Sequence, residues 1–193
     1  MTAEFELDFI TDVEAYIKRV KMAGGAGGFG LETVPVSVRV HGEYVPEEGW
    51  HKRAPEGFNN ILSLWSLITE SSEVLTSDME DKQIHYGPII DSHKEMFVIL
   101  TDCENDGKVG LEWGGADAFE AEQTIDRETF ATEILTTGEE FVKFIETEVI
   151  PYCEDHPNTL GVRDIRMFLP DFKEPVEDLA NHLGRQPAWQ NDS

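Results

Sequence analysis

Basic residues are scarce in this chain. Lys and Arg number 15 against 39 Asp and Glu in 193 residues, which leaves a formal net charge of -24. Binding DNA, RNA or an anionic membrane surface by phosphate neutralisation needs clustered cations, so that mode is excluded. Long apolar runs are missing too; none reaches the roughly 18 residues of a membrane helix. Cysteine is nearly absent. Cys103 and Cys153 alone cannot form a disulfide framework, which points to a reduced compartment. The opening MTAEFELDFI has no basic segment ahead of an apolar one, so no secretory signal is expected and the expected location is cytoplasmic.

Signatures of catalysis are lacking as well. There is no G-x-S-x-G and no Walker loop. Gly25, Gly27 and Gly30 spell G-x-G-x-x-G, but the string follows a helix and precedes a strand. It reads as a flexible loop and not as a dinucleotide fingerprint. Asp102, Glu104 and Asp106 imitate a calcium loop, yet position twelve is Trp113 and both flanks read as strands, so a hairpin is expected. None of the six histidines forms H-x-H or H-E-x-x-H. His85, Asp91 and His93 share an expected loop that could hold a metal, and the alternative reading, a metal-dependent hydrolase or isomerase, would use Asp102, Glu104, His85 or His93. Cys153 and His156, spaced C-x-x-H, could join Cys103 in the same way. Cys103 itself ends an apolar strand among acids, a setting that disfavours a reactive thiolate. No cofactor is expected.

The chain does contain clear periodicities. Phe5, Leu7 and Phe9 alternate with acids as a half-buried strand does. Thr11 and Glu14 fit a capping box, and Val13, Tyr16, Ile17 and Val20 form one face of the helix behind it. Val36, Val38 and Val40 mark another strand. A Pro- and Gly-rich loop spans 46–57. Phe58, Ile61, Leu62, Trp65 and Ile68 then give a helix, with 71–82 as its polar end and a loop. The run 94–103 reads as a central strand, Asn105-Asp106-Gly107 as a hairpin turn and 108–113 as the returning strand, broken by Gly114-Gly115. A further strand is expected over 118–125.

Asp126 is placed to cap a helix carrying Phe130, Ile134 and Leu135. Thr137-Gly138 interrupts it, and a second helix with Phe141, Phe144, Ile145 and Val149 ends before Pro151. A last helix starts at Pro175 and closes at Gly184. The expectation is one α+β domain over 1–185, mainly antiparallel sheet with packed helices, and a frayed tail over 186–193.

What dominates the sequence is charge, and three explanations compete for it: solubility, life in high salt, and a basic partner. Residues 104–155 hold 15 acids against Lys108, Arg127 and Lys143, half of the net charge. This concentration favours a basic protein partner docked on an acidic face, with Trp113, Asp117, Glu120, Glu122, Asp126, Glu128, Glu139 and Glu140 as its contacts. A structural or assembly subunit with an acidic solubilising surface is the other non-enzymatic reading.

The stretch KVGLEWGGADAFEAEQTIDRETFATEILTTGEEF resembles immunity proteins of bacterial polymorphic toxin systems through Gly114, Gly115, Glu120, Phe130, Thr137, Gly138 and Glu139. A Pro and a closing Trp expected soon after Gly138 are missing. The resemblance implies a non-enzymatic inhibitor that masks a toxin's active site.

Overall fold

The computed structural model describes residues 4–22, 35–45, 59–76, 81–86, 96–103, 107–115 and 118–190. The Gly-rich loop over 24–30, the 46–57 loop, and Asp91, His93, Glu104 and Asp117 lie outside them.

Strand β1 (Phe5–Phe9) buries Phe5, Leu7 and Phe9 on one side of its pleat, as the alternation requires. It pairs antiparallel with β2 (Pro35–Val40), setting Phe5, Leu7 and Phe9 opposite Val40, Val38 and Val36. His41 and Gly42, at φ of 52° and 86°, turn β2 into β3 (Glu43–Val45). Two positive φ in succession give the turn whose twist matches a two-residue hairpin. Strand β4 (Asn59–Ser63) also pairs with β2, at Pro35 and Val36. Because β1 fills one edge of β2, β3 and β4 share the other.

Helix α1 (Val13–Met22) follows β1, and its cap sits one residue later than expected: Asp12 Oδ1 accepts the Ala15 N–H at 2.7 Å. Helix α2 (Leu64–Thr76) begins six residues after the expected Phe58. Ile61 and Leu62 suit either period, and pairing with β2 decides for strand. At its other end α2 continues through Ser71 and Ser72, which are buried.

The second sheet is a meander of β5 (Asp81–Tyr86), β6 (Met96–Cys103), β7 (Lys108–Gly115) and β8 (Ala118–Asp126), each antiparallel to the next. Cys103 pairs with Lys108, and Gly107 takes φ 64°, as the expected hairpin requires. Strand β7 does not break at Gly114-Gly115. Both glycines pair with β8, and the register slips between Trp113 and Gly114, leaving Glu120 unmatched as a bulge.

Helix α3 (Arg127–Phe144) starts where expected, with Asp126 accepting the Thr129 N–H at 2.8 Å. It does not stop at Thr137-Gly138. Gly138 is there for close approach: a Cβ on it would lie 2.8 Å from Val176 Cγ2 of the helix crossing it. Nor does the chain stop before Pro151. A π turn (Ile145–Val149) leads into α4 (Ile150–Asp155), where Pro151 sits in the first turn and its missing N–H is no loss.

Helix α5 (Val162–His182) is three turns longer than expected and contains both Pro170 and Pro175. Ile165, Phe172, Val176 and Leu179 bury one continuous stripe and hold it together across the two prolines. Its end matches the reading from sequence: Gly184 has φ 66°, its N–H reaches Asn181 O at 3.0 Å, and Arg185 N–H reaches Ala180 O at 2.8 Å. The segment expected to fray carries contacts as far as Gln190. Ala188 N–H donates to Glu139 at 2.9 Å, Trp189 Nε1 donates to Glu177 at 3.1 Å, and Lys173 Nζ lies 5.2 Å from the Trp189 ring.

One hydrophobic cluster takes in residues of both sheets and all the long helices, so the expected α+β single domain stands. Its centre is aromatic. Phe9 meets Phe141 at 5.5 Å, Phe141 meets Phe172 at 5.6 Å, and Phe172 meets Trp65 at 4.5 Å, all edge to face. At the rim, the Leu7 N–H on the edge of β1 away from β2 donates to Glu133 of α3 at 3.0 Å. No described helix is long and apolar enough to cross a membrane.

Candidate functional site

Among the described residues, those expected to contact a partner lie at separate points along the backbone. Asp126 and Glu128 stand at the start of α3, and Glu139 and Glu140 lie roughly 17 Å further along its axis at 1.5 Å per residue. Trp113, Glu120 and Glu122 are backbone neighbours in β7 and β8: Trp113 pairs with Ala121, Glu122 pairs with Glu112, and Glu120 is the bulged residue between. Asp126 and Glu139 have internal work, one as helix cap and one as anchor of residue 188. The hydrogen bonds from the Thr129 backbone and hydroxyl hold the Asp126 carboxyl below its ordinary range. Glu128 and Glu140 are exposed.

Nor are the described members of the metal constellation brought together. His85 lies in strand β5 opposite Phe97 and not in a loop, while Asp102 pairs with Val109. Since Phe97 and Asp102 are both in β6, His85 and Asp102 are separated by about 17 Å along the strands at 3.4 Å per residue. His156 stacks on Tyr152 at 4.3 Å, and its Nδ1 meets the Tyr152 carbonyl at 2.9 Å. Among the described residues no three His, Cys, Asp or Glu are grouped to hold a metal ion.

A different place gathers acids and hydroxyls: the groove between α2 and α5. Helix α2 contributes Trp65, Thr69, Ser72, Glu73 and Thr76, a stripe one side chain wide by helical spacing. Helix α5 contributes Asp171, Glu174, Pro175 and Asp178 at i, i+3, i+4 and i+7. The cavity is about 330 Å³, at the small end of ligand sites, and no described Lys or Arg lines it. Ser72 Oγ donates to the Pro175 carbonyl at 2.7 Å and ties the two helices at the floor. Pro175 has no N–H to offer the Asp171 carbonyl one turn back. Trp65 forms one wall, half-buried and braced edge-on by Phe172.

The three acids that α5 contributes differ from many elsewhere. Glu6 and Asp8 hold Arg39, Glu146 holds Lys173, Glu154 holds Arg166, and Glu133 and Glu177 accept from the fold's own N–H groups. Among the described residues, the side chains of Asp171, Glu174 and Asp178 have no hydrogen-bond or ion-pair partner. They are exposed, and as like charges three and four residues apart on one helix face they repel. A helix start at Pro175 leaves Asp171 and Glu174 outside it, so the sequence pattern does not display this set as one face. The signal was there in the spacing of Ile165, Phe172, Val176 and Leu179, which runs on through both prolines. The Trp65 ring packs against the core while also walling the groove.

One buried group stands apart from any surface chemistry. Tyr16 is fully buried, and its hydroxyl has no hydrogen-bond partner. Burial pushes the phenol well above its ordinary pKa, and the Cys153 thiol adds to the shift.

No protein-family model, curated protein or solved structure matches this chain.

Proposed function

We propose that this chain is a non-enzymatic binding protein that docks a basic protein partner, and that the α2–α5 groove is the centre of the contact. The observation that carries the reading is the trio Asp171, Glu174 and Asp178: adjacent carboxylates, mutually repelling, with no cation of their own among the described residues. A cationic partner relieves that repulsion and gains the attraction of the whole -24 charge on approach. Exposed Glu128 and Glu140 add to the long-range field without touching the groove. An inhibitor of the immunity type, covering a toxin or nucleic-acid-acting enzyme at its cationic active site, is the use this chemistry fits and the one the resemblance around Gly114 to Glu139 implies.

Immobilised chain, exposed to its own cell lysate at low salt, is expected to retain a basic protein. Repurified, that protein is expected to associate with the chain at a rate that falls steeply between about 0.02 and 0.5 M salt, as screening shortens the Debye length. Association insensitive to salt, or no basic protein retained, overturns the reading.

A further inference from the structure

The solvent face of α5 has an order of charge as well as an excess of it. Arg163, Arg166, Met167, Pro170, Asp171 and Glu174 are all exposed, and at i, i+3, i+4, i+7, i+8 and i+11 they run along one side of the helix. The first half of this face is cationic and the second anionic. Among the described residues Arg163 has no hydrogen-bond or ion-pair partner. Arg166 meets Glu154 at 2.6 Å in a pair that stands largely in water. Between the two halves lies Met167, a large apolar side chain that is 60% exposed.

The order is symmetric about the point between Phe168 and Leu169. A second α5 turned end for end about that point sets Arg163 opposite Glu174, Arg166 opposite Asp171 and Met167 opposite Pro170. We infer that two copies of this chain pair through this face, with α5 antiparallel to α5 across a two-fold axis. An interface between identical copies has to be complementary to itself, and cations followed by anions meet that condition when one helix is reversed. A parallel pairing sets like charges together. An unrelated cationic chain covers Asp171 and Glu174 but leaves Arg163 and Arg166 facing its own charge, whereas a second copy satisfies both halves. Arg163 and Glu174 lie about 16 Å apart along the axis at 1.5 Å per residue. At a shallow crossing of about 20° both outer pairs stay in reach. An apolar centre with a charged rim is the usual anatomy of an interface.

The inference stands on the charge order and not on the basic-partner reading, with which it competes for Asp171 and Glu174. Salt separates the two. Copies of net charge -24 repel at long range. Salt screens that repulsion more than it screens pairs closer than the Debye length, about 10 Å at 0.1 M. Self-pairing is therefore expected to tighten between about 0.02 and 0.5 M salt, where association with a basic protein weakens.

The test is sedimentation equilibrium of the full chain at about 0.3 M salt, alongside Arg163→Glu, Glu174→Arg and the double exchange Arg163→Glu/Glu174→Arg. One helix pair buries less than a standard interface, so a dissociation constant on the order of tens of micromolar is expected. Each single reversal puts like charges opposite one another and is expected to weaken pairing at least about fivefold. Glu174→Arg is the sharper of the two, because it lowers the net charge and would strengthen an association governed by overall repulsion alone. The double exchange, and an equimolar mixture of the two single variants, restore opposite charges and are expected to recover pairing to within about threefold. All the altered side chains are exposed, and circular dichroism checks that each variant is folded. A chain that stays monomeric to about 0.5 mM overturns the inference. So do single reversals that leave pairing unchanged, or losses that neither the exchange nor the mixture repairs. Each of these results leaves the basic-partner reading standing.

Discussion

Adding a single methyl at position 138 tests how α3 and α5 are held together. In Gly138→Ala the new Cβ would lie 2.8 Å from Val176 Cγ2 and 3.7 Å from Ile68 Cδ1. Carbon atoms in good contact sit about 3.5–4.0 Å apart, so the first of these contacts has to open by roughly 0.7 Å or more. Val176 cannot swing aside. It is buried, and a β-branched side chain in a helix has one strongly favoured rotamer. Two effects oppose each other. Alanine is better than glycine inside a helix by about 1 kcal/mol, and overpacking a filled core costs about 1–3 kcal/mol. With no flexible neighbour to yield, the clash wins, and a net loss of about 1–2 kcal/mol is expected. The decisive comparison is with Val176→Ala, where the obstructing methyls are gone. In that background Gly138→Ala is expected to stabilise by up to about 1 kcal/mol. Urea unfolding of the four proteins, followed by far-ultraviolet circular dichroism, gives the coupling directly. A Gly138→Ala change that stabilises the native background, or acts equally in both, refutes the close crossing.

Further outcomes are expected at two groups already described, Tyr16 and Asp126. Tyr16→Phe removes a buried hydroxyl that has no partner and is expected to raise stability by about 1 kcal/mol, seen as a melting temperature higher by roughly 2–4 °C. Because burial raises the phenol's pKa in the fold, the native protein keeps that proton where the unfolded chain gives it up. Stability therefore falls as pH rises above about 10, and the Tyr16→Phe variant loses that part of the slope in urea titrations at stepped pH. Asp126→Ala is expected to cost about 1 kcal/mol of thermal stability through the lost cap, and Asp126→Asn much less. The depressed carboxyl of Asp126 contributes stability above its unfolded pKa that is lost as pH falls through the folded one, so acid melts of the Asn variant are expected to show a shallower decline.

Local chemistry was the legible part of this sequence. Phe5, Leu7 and Phe9 declare a strand within five residues, and Asp126 followed by an apolar helical stripe declares a helix start, because each signal is complete within one turn or pleat. What the sequence concealed depends on partners far along the chain. Asn59–Ser63 becomes a strand only because β2 lies beside it. Gly138 and Pro151 read as stops and Pro175 as a start, yet each is absorbed: by a helix crossing, by a π turn, and by a buried stripe of α5 that outweighs the backbone bonds lost at Pro170 and Pro175. The acidic face of α5 is concealed in the same way, since a helix start at Pro175 leaves both Asp171 and Glu174 outside and only Asp178 within. Acid counts pointed instead to residues 104–155, where Asp126, Glu133, Glu139, Glu146 and Glu154 turn out to be occupied in holding the fold.

The carboxylate of Glu133 at the rim of β1 has a meaning for molecules in a crowd. Open strand borders invite a neighbour's backbone, and that is how sheets zip together into aggregates. Here the inviting amide is already claimed by a charged group from a helix of the same chain. A second copy approaching along this border would have to evict a charge before forming its first rung, so β1 is guarded against self-propagating stacking.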